Sequence, residues 1–550
     1  MSHHPLAGTL PDPSDLTPRS DLERAYHQPV GELKPVKNGT SGHRGVTGIG
    51  FSEAHVAAMT QALVDIRAAR GTFGPADSDD PSVNLGGRPA GAIVIGKDVR
   101  HGSDFALRTA VEVFAGNGVP VILHTGHRAT PTPVVSHTIR AGNARGENLE
   151  GAIITASHNP PEQAGYKSNG LDGGPNTRTG PIDTRANVLL GGGDTVRRLS
   201  FEAAEAAGLV IYRDLVGPYV CDLASVIDFD VLKGQRFAAT SLGGAAHGYY
   251  DAINATHGTD IAVFNDTPDP SGRSRTRDWD GALRGDPSSA WVMKAVEGLR
   301  QQAGAPFIGA NDNDADRFGG EDNGGSLNPN HVLCVLFDYL CRHRDLPATM
   351  GIGRTIGTTH MLDLIAASHS RPSYEVNVGF KWYVAGLRVG KYVLAGEESA
   401  GLSLPRMDGS PWVTEKDGIA AVLLMMESIT RSGLDLSGQY AALAERFGPH
   451  QYERVDMPAE PAHKAKLQAL AADPAEVERR LSGQRVAGRA IERTVVGDGV
   501  KVVLEGGVWV LKRPSGTEDI VKDYREERGE SLDTARQASV ELDGLLGLAG

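Results

Sequence analysis

Gly151-Ala152-Ile153-Ile154-Thr155-Ala156-Ser157-His158-Asn159-Pro160-Pro161 decides how the rest of the chain is read. Its first four residues are a short apolar run, the pattern of a buried strand. Pro160 and Pro161 prevent a helix from starting directly after it. Ser157 is therefore expected in a tight loop at a strand end, where a rigid sheet can aim its hydroxyl into a cleft. Serine-containing turns are also ordinary structural features, so the meaning of this loop depends on its company.

Upstream, Ala92-Ile93-Val94-Ile95 and the stretch from Val119 to His124 read as further strands. Helices are expected over about 52–70, with Met59, Leu63 and Ile66 on one face, and over about 104–115. Thr130-Pro131-Thr132-Pro133 reads as a turn. The alternation predicts βαβ units and a mainly parallel sheet, whose active loops lie at the carboxyl ends of strands. Downstream, Gly165-Tyr166-Lys167-Ser168-Asn169-Gly170 reads as a loop. Lys167 is then either a solvated lysine or, if desolvated, a proton donor or acceptor.

At 550 residues the chain is too long for one core. Length points to three or four domains, and the segments are drawn at 1–200 with the Ser157 loop, 201–325, 326–448 and 449–550. Residues 1 to about 35 lack periodicity and read as a surface arm. The net charge of −13 argues against a nucleic-acid partner, and no apolar run approaches a membrane span. Cys221, Cys334 and Cys341 form no CxxC pair, and the N-terminal residues show no basic-then-apolar leader. Both fit a cytoplasmic location.

Asn311-Asp312-Asn313-Asp314-Ala315-Asp316-Arg317 is the second motif. Three carboxylates at alternate positions can converge on one hard cation. A calcium EF-hand loop fails by count. With Asp312 first, Arg317 stands where a glycine is needed and Asn323 where a glutamate is needed. A solvated acidic turn is the plainer alternative, but three carboxylates this close repel one another, and a cation among them is the more economical account. Arg317 beside it suits a phosphate.

Four further polar stretches are ambiguous singly. Asn38-Gly39-Thr40-Ser41-Gly42-His43-Arg44-Gly45 is a flexible backbone concavity suited to an anion, or a plain glycine-rich loop. Gly379-Phe380-Lys381-Trp382-Tyr383 is an aromatic-flanked lysine or a packing element. Gly396-Glu397-Glu398-Ser399-Ala400-Gly401 offers acceptors for sugar hydroxyls or is a hairpin turn. Arg513-Pro514-Ser515-Gly516-Thr517, after a hairpin with Gly506-Gly507 at its turn, forms a credible phosphate cradle. Lys416-Asp417-Gly418 opens an apolar helix. Together these loops supply a hydroxyl, a divalent-metal site, a sugar reader and two anion cradles, the parts needed for phosphoryl transfer on a phosphosugar.

These motifs, collinear over nearly the whole chain, resemble the α-D-phosphohexomutases, and within them the bacterial branch specific for α-D-glucose phosphates. The resemblance implies an α/β fold of four domains arranged like a heart around a cleft, three of them related and the fourth a small α+β unit. It implies a phosphoglucomutase reaction between glucose 1-phosphate and glucose 6-phosphate, through phosphoserine at Ser157 and a glucose 1,6-bisphosphate intermediate. Mg²⁺ would be held by Asp312, Asp314, Asp316 and the phosphoserine. Lys167 matches the family's general acid/base, with Arg44, His158 and Lys381 completing the catalytic set. Thr40, His43, Arg317, Lys416 and Lys522 join the substrate-binding set, with Glu397 and Ser399 on the sugar and Arg513, Ser515, Gly516 and Thr517 on the phosphate. Alternatives are a phosphomannomutase, a phosphoglucosamine mutase or a non-catalytic phosphosugar-binding relative. The partner is a small phosphosugar, and the chain is a monomer or a homodimer. Between Thr267 and Met293 the sequence departs from the family: Gly285-Asp286-Pro287-Ser288-Ser289 stands where relatives usually carry Met-Asp-Cys-Ser-Ser.

Overall fold

The computed structural model describes residues 3–39, 41–73, 84–515 and 520–548. Among the described residues, four β-sheets follow one another along the chain. The first has the order His43–Val46, Gln163–Asn169, Glu150–Ile154, Ile93–Lys97, Val121–His124, Val210–Arg213. Its last four strands are parallel, and Gln163–Asn169 is antiparallel to both of its neighbours. The strand Val210–Arg213 lies beyond residue 200, so a boundary drawn there falls inside the first sheet.

A single local plan recurs in the first three sheets. Glu150–Ile154, Ile308–Asn311 and Tyr392–Glu397 each pair in parallel on one side. Each then turns into an antiparallel partner on the other: Gln163–Asn169, Phe318–Asp322 and Gly401–Ser403. Each connecting loop holds one non-glycine residue in the left-handed region: Ser157 at φ 54°, Ala315 at 53° and Ala400 at 66°. That conformation costs about 1 kcal/mol or more per residue. It persists where surrounding contacts over-determine it.

Those contacts run between sheets. Thr132 N–H donates to Asp314 O (2.9 Å), Phe318 N–H to Ala400 O (3.0 Å) and Gly418 N–H to Ala315 O (3.1 Å). The helix Gly418–Ser432 is almost wholly buried and packs so closely on the second sheet that a Cβ on Gly309 would meet Val422 at 2.3 Å. With the helix Pro329–His343 it belongs to one apolar cluster that reaches from Val134 and Val135 beneath the first sheet to Val393 and Leu394 in the third.

The fourth sheet is antiparallel throughout, in the order His450–Pro458, Ile520–Arg528, Val508–Pro514, Val500–Leu504, Arg489–Val496, Arg485–Val486. It has its own core beneath the helices Pro461–Ala472 and Asp533–Leu545. Lys501 ties it to the third sheet, donating to Ile356 O (2.6 Å) and pairing with Glu375 (2.9 Å).

Two expectations need correction. Thr132-Pro133 does not end in a turn but opens the helix Thr132–Ala144, because proline is accommodated in a first helical turn. Lys167 is not on a loop: it lies in the strand Gln163–Asn169, opposite Ile153.

Candidate active site

The Ser157 loop is fixed from below. Fully buried Asp98 accepts Thr155 Oγ1–H (2.7 Å) and Ser103 Oγ–H (2.6 Å) and pairs with buried Arg100. Thr155 Oγ1 accepts the Ser157 N–H (2.8 Å), and Arg100 donates to Ser157 O (2.6 Å). From the second sheet, Asn313 Nδ2 also donates to Ser157 O (2.6 Å). With its backbone so held, Ser157 turns its hydroxyl onto Asp312 Oδ2 at 2.8 Å. His158 Nδ1 stands 3.4 Å from the same hydroxyl. Burial, and then the charges of Arg317 and Arg44, hold the His158 imidazole neutral.

Asp312, Asp314 and Asp316 bring one carboxylate oxygen each within 4.8 Å of one another, and all three are fully buried. Their environments differ. Burial, then the Asp314 and Asp316 charges, pushes the Asp312 carboxyl well up. Burial also works against Asp316, but Lys167, Lys416 and Arg317 outweigh it and hold that carboxyl below the usual range. Lys167 Nζ reaches Asp314 Oδ2 (2.7 Å) and Asp316 Oδ2 (3.0 Å), and Lys416 Nζ reaches Asp316 Oδ2 (3.0 Å). Burial alone would favour neutral Lys167, yet the two carboxylates raise it and keep it an ammonium. Asp314 Oδ1 and Asp316 Oδ1 remain buried without a hydrogen-bond partner among the described residues. Orphaned hard oxygens beside a carboxyl destabilised by its like-charged neighbours are a donor set that fits a divalent cation.

Around this centre stand other expected residues. Arg44, half-buried, donates to Asn159 Oδ1 (3.3 Å), and desolvation lowers its guanidinium pKa. Arg317 pairs with Asp286 at 3.1 Å. Glu397 accepts the Gly379 N–H (3.0 Å), and burial, partly offset by Lys416, raises its carboxyl to about 7. Ser399 lies half-buried in the same hairpin. His43 differs from expectation. Its Nε2 donates to Gly50 O (2.7 Å) and its Nδ1 accepts the Lys37 N–H (3.1 Å), so both ring nitrogens brace the glycine-rich loop instead of facing a substrate. Thr40, Gly516 and Thr517 lie outside the described residues.

A second group sits at the fourth sheet. Arg513 and Lys522 are direct cross-strand partners, and Lys522 faces Asp456 on the neighbouring strand at its other side. Arg513 Nε is buried without a partner among the described residues. Ser515 is buried, its N–H donating to Ile520 O (3.0 Å). Lys381 leans on Trp382, 5.4 Å from the ring centroid. Its charge and that of Arg513 both act on Asp498, whose carboxyl burial raises.

Sequence reasoning missed several contributors. Thr132 Oγ1 donates to Asp314 Oδ2 (2.7 Å). Asp98, Arg100, Asn313 and Asp286 were equally unforeseen in these roles. Asp98 had a usable signal, a carboxylate at the end of an apolar strand. The others depend on contacts between distant segments.

A loop serine, a carboxylate cluster and a cation-lined fourth sheet on this α/β scaffold define a phosphohexomutase fold. Family profiles described as phosphoglucomutase/phosphomannomutase alpha/beta/alpha domain I and domain III match residues 35–180 and 328–447. A phosphoglucomutase of Komagataeibacter xylinus is 37% identical over 544 residues, covering 95% of this chain and 93% of that protein. The chain belongs to the phosphoglucomutase/phosphomannomutase family. Among solved structures, the open form of the Paramecium phosphoprotein pp63/parafusin, a phosphoglucomutase, superposes with a TM-score of 0.70 at 21% identity, covering 94% of this chain and 96% of that one. A Burkholderia thailandensis member of the family gives 0.69 at 17% identity, covering 94% and 99%. These two likenesses establish the fold.

Proposed function

We propose that the chain is a phosphoglucomutase that interconverts α-D-glucose 1-phosphate and glucose 6-phosphate through a phosphoserine at Ser157 and glucose 1,6-bisphosphate. The observation that carries this reading is the Ser157 Oγ to Asp312 Oδ2 contact of 2.8 Å. It joins a strained strand-end serine to a buried carboxylate cluster in another sheet. The identity to a phosphoglucomutase over 95% of the chain supports the choice of sugar.

The proposed chemistry is two phosphoryl transfers. In the first, the Oγ–P bond of phosphoserine breaks and Ser157 Oγ takes up a proton, as the sugar O6 forms its own bond to phosphorus and gives up its proton. In the second, the O1–P bond breaks as Ser157 Oγ bonds to phosphorus and gives up its proton, and O1 takes a proton. Asp312, Asp314 and Asp316 would hold Mg²⁺, which supplies charge neutralisation on the phosphoryl oxygens. Lys167, kept as an ammonium within the same cluster, is the proposed proton donor, becoming the acceptor in the reverse sense. Arg44 and neutral His158 line the transferring group, and Arg317 beside them binds the phosphate that the substrate brings to the site. Arg513, Lys522 and the 515–517 loop hold the other phosphate, and Glu397 with Ser399 reads hydroxyls common to both orientations of the sugar. Lys381 serves the second orientation, and Lys416 steadies Asp316. We place the four functional units along the four sheets, with the first extended through Arg213.

Turnover of glucose, mannose and glucosamine 1-phosphates, each followed by the formation of its own 6-phosphate, with and without Mg²⁺ and a bisphosphate primer, tests the reading. Faster turnover of mannose or glucosamine phosphate would reassign the substrate. No turnover on any of them would leave a phosphosugar-binding protein.

A further inference from the structure

The segment 268–289 reaches the centre of the site. Gly285 N–H donates to His158 O at 3.0 Å. A Cβ on Gly285 would come within 2.9 Å of Asn313 Oδ1, and one on Gly319 would meet Pro287 O at 2.0 Å. The segment is thus wedged between the Ser157 loop and the Asp312–Asp316 loop. Asp286 is carried at its tip.

We propose that Asp286 is a positioning residue for the reaction, acting through Arg317. The inference rests on reading Arg317 as a ligand of the substrate's phosphate. Both oxygens of Asp286 are committed. Oδ1 accepts the Ser288 N–H (3.1 Å) and Oγ–H (2.6 Å), and Oδ2 accepts Arg317 Nη1–H (3.1 Å). Ser288 therefore fixes the carboxylate plane, and the carboxylate fixes the guanidinium. The Arg317 main chain is held separately, N–H on Asp312 Oδ1 (3.1 Å) and O on Asn311 Nδ2 (3.0 Å). Its side chain has Asp286 as the one carboxylate within ion-pair distance among the described residues. Arg317 Nε, on another edge, is buried with no partner among the described residues. A guanidinium carries five donors in a fixed fork, so anchoring one corner leaves a rigid edge for a planar anion contact. Preorganisation of this kind raises affinity by removing the freedom an unanchored arginine would lose on binding.

Asp286→Asn keeps the shape and removes the charge; Asp286→Glu keeps the charge. We expect Asp286→Asn to raise KM for glucose 1-phosphate about tenfold, to lower kcat by a smaller factor, and to leave the thermal midpoint close to wild type. Asp286→Glu should recover most of the KM. In an Arg317→Gln background, Asp286→Asn should add no further loss. Binding is read apart from turnover, as the Kd for inorganic phosphate in a Ser157→Ala background, where Asp286→Asn should weaken it by a similar factor. Unchanged KM and Kd overturn the proposal, as does an equal loss in the Arg317→Gln background, or a loss that tracks a fallen midpoint and is not reversed by glutamate. If wild type turns over no hexose phosphate but phosphate affinity falls with Asp286→Asn, the mutase reading fails and this one stands. Turnover with neither constant moved gives the converse.

Discussion

Ser157 and Asp312, 155 residues apart in sequence, share a hydrogen bond of 2.8 Å between side chains that are both fully buried. The strand ends of two sheets are thereby locked face to face at the point where a phosphoryl group would be exchanged. Removing the hydroxyl should abolish that exchange without dismantling its supports, because the Ser157 N–H and C=O contacts are all made by the backbone. Ser157→Ala is expected to lower kcat on the order of 10³-fold or more, with an unchanged circular dichroism spectrum. Intact mass should show a phosphate-sized excess on wild type that the variant lacks. Substantial residual turnover would remove Ser157 from its role.

Lys167 offsets the charge of two carboxylates whose other oxygens have no partner among the described residues. Removing one member of such a buried set costs about 3–5 kcal/mol, because the remaining charge is left uncompensated. Lys167→Met should therefore lower the thermal midpoint in EDTA. Mg²⁺ should restore more of the midpoint in the variant than it adds to wild type, since a ligand that binds only the folded chain stabilises it by mass action. Thermal scans across a Mg²⁺ series measure both. Equal Mg²⁺ shifts in the two proteins would argue against a cation site at Asp312, Asp314 and Asp316.

The parts legible in the sequence were those whose chemistry is local. Ile153-Ile154 before Ser157 and the prolines after it mark a strand and its end. The alternate carboxylates of Asp312, Asp314 and Asp316 mark a cluster that could hold a cation. The strand Gln163–Asn169 was not legible. It mixes glycine, tyrosine, lysine and asparagine, and its burial arises from partners elsewhere: Lys167 is covered by aspartates from the second sheet. The threefold plan of the sheets was hidden for a related reason. What repeats at Ser157, Ala315 and Ala400 is a left-handed backbone, not a residue type. His43 was placed on the substrate through the resemblance of its loop to the family's motif, and nothing local reveals that Gly50 O and the Lys37 N–H occupy its ring.

Glu397 gives the site a pH signature. Burial lifts its carboxyl from 4.5 to about 7. Between those values the folded chain binds this proton more tightly than the unfolded chain does. Its contribution to stability is thus fully present below about pH 4.5 and is lost as pH rises through about 7. The loss amounts to about 3 kcal/mol. Glu397→Gln removes the titration, so the variant should gain stability relative to wild type as pH rises across that window. Urea unfolding at a series of pH values measures the difference. A constant offset between the two proteins would show that Glu397 titrates as an ordinary exposed carboxyl.

The N-terminal arm, expected to lie on the surface, docks on the same segment that carries Asp286. His4 N–H donates to Trp279 O (2.7 Å), Gly8 N–H to Arg277 O (2.7 Å), and Arg277 N–H to Thr9 O (2.9 Å). Arg277 also pairs with Asp15 at 2.6 Å. At about 1 kcal/mol net per hydrogen bond, and little from an exposed ion pair, the arm contributes about 3 kcal/mol of local stability. Deleting residues 1–15 leaves the strands of all four sheets intact but frees the root of 268–289. Hydrogen exchange should therefore accelerate within 276–282 on the order of 100-fold, while the strand Ile308–Asn311 keeps its protection. Because that root leads through Asp280 and Arg284, paired at 2.6 Å, to Gly285 and Asp286, the deletion should also raise KM for glucose 1-phosphate, by less than Asp286→Asn does. Unchanged exchange within 276–282 would show that the wedge between His158 and Asn313 holds the segment without the arm.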